Sequence, residues 1–412
     1  MEKLKYQNPT QIPMSKTLVF DWIGDRIPVA TEGVHGDTHP LTWAENDRMY
    51  VGTGDPSWAV VDGKPTALMY QGSQRLDEVA GVSMGLSVEE ITGEPESFGV
   101  SRINDMPGFV GPGGHGPKPS GMICVDGVLY YAVQNLLGLK ATPHRPGSQH
   151  GTDATILRSI DHGATWEPDL NPLLDRFMHE QYVAETEAWL TTEAERTDYE
   201  GWRPMFPGSE FGGPSFVQFG KNNEEAIDEY VYAISADQWD NGRFLRLGRV
   251  LVGAIMDRDA WEFAALDDAG EASWHRDISE AGPILDIEGH VSLPEMVYIS
   301  SLKKFVLLTW GLHTDFYTPT GSELTILESD HPWGPFSLVH YEWMWYKRES
   351  CAYTPRIPLK WFDQDSLEGY ILHSGNWGFA GPDGGWVNPM FHYYLPQIRK
   401  FRFAFRDDEK AN

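Results

Sequence analysis

A strand–turn–strand unit recurs five times along this chain, and it limits the possible folds more tightly than any other feature. The copies read GDTHPLTWAENDRMYVGTGD from Gly36, KPSGMICVDGVLYYAVQN from Lys118, GGPSFVQFGKNNEEAIDEYVYAISAD from Gly212, SLPEMVYISSLKKFVLLTWG from Ser292 and TPRIPLKWFDQDSLEGYILHSGNW from Thr354. Each opens around a proline (Pro40, Pro119, Pro214, Pro294, Pro355), passes through a β-rich strand and a polar turn, and closes on a strand rich in Val, Leu, Ile and Tyr. Successive prolines lie 79, 95, 80 and 61 residues apart, room each time for a four-stranded sheet with its loops. The pattern predicts an all-β fold: a single five-bladed β-propeller over residues 1–412, with blades beginning near 36, 118, 212, 292 and 354. The longest interval carries apolar residues at helical spacing from about Leu173 to Glu195, read as a short helical insertion on blade two.

Composition agrees. Sixteen Trp, 42 Gly and 28 Pro suit many short strands joined by tight turns, and do not suit long helices. A net charge of −28, spread along the chain, repels nucleic acid and anionic lipid, which excludes both as expected partners. No apolar stretch approaches the ~18–20 residues that a membrane-spanning helix needs. Met1 to Thr10 is polar and shows no signal-peptide core, so the expected location is cytoplasmic, or secreted or periplasmic if a leader has been trimmed away. Cys124 and Cys351 are too few for a disulfide framework and sit in apolar, strand-like surroundings, as buried free thiols do.

In a propeller the first strand of each blade lines the central channel and the second runs antiparallel beside it. The start of the first strand and the end of the second therefore reach the same mouth. That rule selects Asp37, His39 and Asp55 from blade one, and Lys118 and Gln134 from blade two. Blade three supplies Glu210, Asp237 and Trp239; blade four His290, Trp310 and His313; blade five Tyr353, Arg356, His373 and Trp377. Carboxylates among aromatic residues suit a sugar: ring faces stack on C–H surfaces, while carboxylates bind hydroxyls and transfer protons. Asp37 and Asp55 end the two strands of one hairpin, and glycosidic cleavage needs two carboxylates, one protonated and one ionised. Glu210 and Asp237 stand in reserve for the second, and alternation along LPEMVYI leaves the direction of Glu295 open. His39, Lys118, Gln134, Trp239, His290, Trp310, His313, Tyr353, Arg356, His373 and Trp377 are the expected substrate contacts, with Arg356 and Lys118 the cations for an acidic sugar. No H-E-x-x-H, C-x-x-C, P-loop or G-x-S-x-G motif occurs, so no cofactor and no catalytic metal is expected, a structural Ca²⁺ on carboxylate oxygens being the one ion allowed for.

Two resemblances point the same way. Ser159 to Trp166, SIDHGATW, matches the S-x-D-x-G-x-T-W Asp-box of sialidase-like propellers, where the motif is structural. Asp161 is expected to accept N–H groups across the turn, Gly163 to supply positive φ and Trp166 to pack between sheets. The strings KPSGMICVDGVLYYAVQN, SIDHGATW, ILESDHPWGPFSLVHYE and PRIPLKWF resemble a bacterial domain-of-unknown-function family of five-bladed propellers related to endo-D-arabinanases, which are glycoside hydrolases. That resemblance, from about Gly36 to Trp377, implies a glycan substrate and places the family's two blade-one acids on Asp37 and Asp55. Relatives often carry Thr-Trp where this chain has Thr38-His39, which separates the substrate side from D-arabinan. The expected activity is glycoside hydrolysis. A polysaccharide lyase with a His or Tyr base (His39, His115 or Tyr353, with Arg356 on the uronate), or a propeller that only binds glycan, are the alternatives.

Overall fold

The computed structural model describes residues 5–28, 36–54, 86–106, 118–134, 151, 153–168, 204–314, 320–346, 351–375 and 396–406, together with six two- or three-residue strands between them. Five sheets form a ring, as the five hairpins predict. Blade one contains Leu41–Trp43, Met49–Gly54, Leu86–Thr92 and Gly99–Met106. Blade two contains Lys118–Val125, Val128–Gln134 and Thr155–Ser159. Blade three runs through Pro214–Phe216, Tyr230–Ala236, Gly242–Leu251 and Leu285–Val291, with Lys5–Tyr6 added in parallel at its outer edge. Blade four is Glu295–Ile299, Lys304–Leu312, Ser322–Ser329 and Ser337–Glu342. Blade five is Tyr353–Arg356, Glu368–Ser374 and Gln397–Phe405, and its outer strand is Leu18–Pro28 from near the other end of the chain. Among the described residues helix is limited to single 3-10 turns; the expected insertion at 173–195 lies outside them.

The recurrent proline has a physical reason. The innermost strand is the free edge of its sheet, so a residue without an N–H costs no ladder hydrogen bond there. Apolar side chains of neighbouring blades close on each other: Phe216, Val231 and Phe263 with Ile123 and Ile156 between blades two and three, Leu308, Ile326, Ile357 and Phe401 between blades four and five. Each fully buried side chain of this kind contributes about 1.5–3 kcal/mol. Cys124 and Cys351 are both buried thiols outside any disulfide.

Candidate active site at the channel mouth

Asp37 lies at the start of blade one's inner strand, 4% exposed. Its backbone pairs with Gly54 in both directions, N–H to O at 2.9 and 3.0 Å, which brings the ends of the two blade-one strands together. A Cβ on Gly54 would fall 2.8 Å from Asp37 Oδ1, so only glycine lets this carboxylate keep its place. Tyr353, opening blade five, donates its phenol to Asp37 Oδ2 at 3.1 Å. The next two residues, Thr38 (φ 66°) and His39 (φ 40°), both take left-handed backbone. For a β-branched threonine this costs on the order of 1–3 kcal/mol and persists only where neighbours impose it.

The imposing group is Arg356. Its Nε donates to Thr38 O in blade one (3.3 Å), and its Nη1 to Ser215 Oγ in blade three (3.2 Å) and Pro294 O in blade four (3.0 Å). One side chain from blade five thus ties three other blades together across the axis. Glu295, at the start of blade four's inner strand, accepts the Ile357 N–H and faces the same guanidinium. Burial drives its carboxyl up to about 7 although Arg356 pulls the other way, and burial brings Arg356 down to about 10 against the pull of Glu295. Alternation therefore turns Glu295 inward.

His39 is fully enclosed, and burial drops its pKa to about 3, with Arg356 adding to the fall. Its Nδ1 lies 3.4 Å from Thr53 Oγ1, which donates to buried Glu89 at 2.7 Å. Its Nε2, and Nη2 of Arg356, have no hydrogen-bond partner among the described residues. The same is true of both amide atoms of Gln134, whose Oε1 occupies a slot between Gly151 and Gly213, 3.0 Å from the position of a Cβ on either. Lys118, opposite Gln134 in the blade-two ladder, is 2% exposed. His373 is as enclosed as His39, also at about 3 through burial, and sits 3.2 Å from the Tyr346 hydroxyl.

The strand-end rule thus brings Asp37, His39, Tyr353 and Arg356 to one place and fails elsewhere. Trp239 and Trp310 are 1% and 0% exposed. They meet edge to face at 5.1 Å and pack against Tyr353 at 5.7 and 5.5 Å, so they back the tyrosine and offer no ring face to a sugar. Asp237 spends Oδ1 on the N–H groups of Arg243 and Phe244, which caps a turn, and Glu210 is exposed without a described contact to Asp37. Arg356 is 1% exposed and serves the ring before any solute. His290 and His313 lie further out: His290 pairs with buried Glu323, and His313 stacks on Trp343 at 3.8 Å. Asp55, His115 and Trp377 lie outside the described residues. Sequence reasoning missed Glu89 and Trp343, the latter because it follows an outer strand. Among the described residues no cluster of three or more His, Cys, Asp or Glu is placed to hold a metal, and no helix is long and apolar enough to cross a membrane.

Fold and site together define a five-bladed propeller with a buried acidic group at the start of an inner strand. No family model matches the sequence, and no curated protein matches it. Among solved structures, a protein of Bacteroides ovatus assigned only provisionally as a hydrolase is similar, with 12% identity over 91% of this chain and 87% of that one, at a TM-score of 0.50. The α-L-arabinofuranosidase of Podospora anserina aligns at 10% identity over 95% and 98% of the two chains, TM-score 0.41. A family 117 glycoside hydrolase of Zobellia galactanivorans aligns at 11% identity over 94% and 91%, TM-score 0.40. At such identities the likeness is one of fold.

Proposed function

We propose that this protein is a glycan-cleaving hydrolase whose catalytic carboxylate is Asp37. The observation that carries the reading is the setting of that group: a buried carboxylate at the start of an inner strand, held by a tyrosine from the neighbouring blade and followed by two residues in left-handed backbone. Strain of this kind gathers where geometry serves chemistry. Asp55 follows Gly54, the pairing partner of Asp37, and is proposed as the second carboxylate. One of the pair protonates the leaving oxygen while the other, ionised, activates water or attacks the anomeric carbon. The Tyr353 hydroxyl, donating to Asp37 Oδ2, holds that carboxylate in place for either role.

A second reading rests on a different observation. The Nε2 of His39 and Nη2 of Arg356 are unpartnered among the described residues, and a neutral imidazole beside a guanidinium suits abstraction of a proton next to a uronate carboxylate, as in a lyase. Digestion of arabinan, xylan, galactan and polygalacturonate, with both reducing ends and near-ultraviolet absorbance followed, separates the two. New reducing ends without absorbance support hydrolysis; an absorbing unsaturated product transfers the assignment to His39 and Arg356. A panel left intact by the wild-type protein rejects both and leaves a propeller that only binds.

A further inference from the structure

The outer part of blade four holds a second group of residues that the channel does not use. Trp343 follows the strand Ser337–Glu342, and His313 follows the strand Lys304–Leu312, so both reach the same face of the ring as the Asp37 mouth. Their rings stack at 3.8 Å and 22° across the start of the intervening strand. The packing is close there: a Cβ on Gly321 would come 2.6 Å from Met344 Sδ and 2.9 Å from His313 Nδ1, so those side chains would have to shift. Beneath the stack lies buried Glu323, which pairs with His290 and accepts the Tyr341 hydroxyl at 2.7 Å. The indole itself is 55% exposed, and Trp343 is the one exposed tryptophan among the described side chains. A large apolar ring has been pinned from below and left open above.

We propose that Trp343, seated on His313, is a sugar-binding platform at the rim of blade four, and that it takes a neutral, hydroxyl-bearing unit of an oligosaccharide reaching toward Asp37. The stacked imidazole fixes the indole, so little side-chain entropy is lost when a ring settles on its free face. His313 Nε2 is itself buried, so the imidazole is the support and the indole face the contact surface. Burial holds that imidazole below its ordinary pKa against the pull of Glu323, so it is uncharged at neutral pH and does not call for an anion. The −28 charge of the chain discriminates further against acidic polymers. Three strand spacings of about 4.8 Å separate the inner from the outer strand of a four-stranded blade, so platform and channel mouth are on the order of 14 Å apart. A substrate engaging both is several units long. This last point rests on the proposed glycan activity; the platform itself does not.

The test is tryptophan fluorescence on the full chain, titrated with neutral arabino-, xylo-, cello- and galacto-oligosaccharides of two to six units and with polygalacturonate. A neutral hexamer is expected to shift the emission, and Trp343→Ala to weaken its binding about tenfold, the size of one lost aromatic stack with its buried area. Gly321→Ala keeps both rings but displaces them, and is expected to weaken the same ligand with its thermal midpoint measured alongside. The gain in affinity from dimer to hexamer should vanish in Trp343→Ala. Asp161→Ala, in the remote turn, should bind as the wild type does, and because the readout is binding, failure of the hydrolase reading would leave this result standing. Binding of every neutral oligomer that ignores Trp343→Ala, a response confined to polygalacturonate, or no response to the panel overturns the proposal.

Discussion

The Ser159–Trp166 turn and the channel mouth are both polar constellations written into strand ends, and they spend their hydrogen bonds in opposite ways. In the turn the bonds around Asp161 and Gly163 close locally, while His162 pairs with Glu45 and Ala164 O accepts from Asn104, both of blade one. Asp161 accepts Ser159 Oγ (2.8 Å), Thr165 N (2.9 Å) and Thr165 Oγ1 (2.7 Å), Gly163 at φ 90° donates to Ser159 Oγ, and Trp166 Nε1 returns to Gly163 O. Within the motif Ser159, Asp161, Gly163, Thr165 and Trp166 satisfy one another. In the channel group the partners come from different blades and the groups are buried, yet His39 Nε2, Arg356 Nη2 and both amide atoms of Gln134 have no hydrogen-bond partner among the described residues. A buried polar atom without a partner costs about 1–3 kcal/mol, so a protein keeps several together only where something else uses them.

The largest expected effect separating the two regions is on stability in acid. His39 and His373 hold their pKa values near 3 by burial, below the ordinary 6.5. The unfolded chain takes up these protons below about pH 6.5 and the folded one does not, so their stabilisation is complete above 6.5 and is lost as the pH falls toward 3, by about 4–5 kcal/mol for each. Glu295, raised to about 7, has the reverse sign: its contribution is complete below 4.5 and lost as the pH climbs through 7. Two groups oppose one, leaving a net loss of about 6 kcal/mol between pH 7.5 and 3. Urea midpoints across that range measure it, and a His373→Asn variant should show a shallower acid slope; an unchanged slope would contradict the enclosed, neutral imidazole.

Next in size is Arg356→Met, expected to cost about 3–5 kcal/mol because it strands a buried carboxyl and unties three blades. The deficit should shrink at pH 5.5, where Glu295 is protonated; a deficit independent of pH would remove Glu295 from the account. Asp37→Asn comes third, with kcat down about 10²–10⁴-fold and the melting temperature little changed. Near-wild-type cleavage by a folded Asp37→Asn protein would sink the assignment. The smallest effect belongs to the turn: Asp161→Ala should lower stability by about 1 kcal/mol and leave activity alone, as calorimetry and an assay in parallel would show.

How legible each region was follows from the range of its contacts. The turn is readable because the bonds of Asp161, Gly163 and Trp166 span at most four residues. Blade number is readable too, since the proline at each inner edge repeats. At the mouth, alternation and antiparallel pairing set which end of a strand a residue reaches, which sufficed for Asp37, His39 and Tyr353. Strand position does not set depth. Trp239 and Trp310 reach the right end and turn into the core because Tyr353 needs backing, a fact of three blades at once. The axial place of Arg356 depends on acceptors 318, 141 and 62 residues away in sequence. Trp343 escaped because only the first two strands of each blade were followed to the mouth.

Ring closure has a consequence for how the protein is made. Gln397–Phe405 sits between Glu368–Ser374 and Leu18–Pro28, as an interior strand of blade five. Leu18–Pro28 therefore leaves the ribosome long before its neighbour exists and waits through the synthesis of four blades with an unsatisfied ladder. An open strand edge is a template for the wrong partner, another nascent chain included. Joining ends so distant in sequence is also slow, because loop-closure entropy is spent before the contacts reward it. Synthesis at low temperature or with a holdase chaperone should raise the soluble yield, whereas a circular permutant that opens between blades, keeping Leu18–Pro28 and Gln397–Phe405 adjacent in sequence, should need neither.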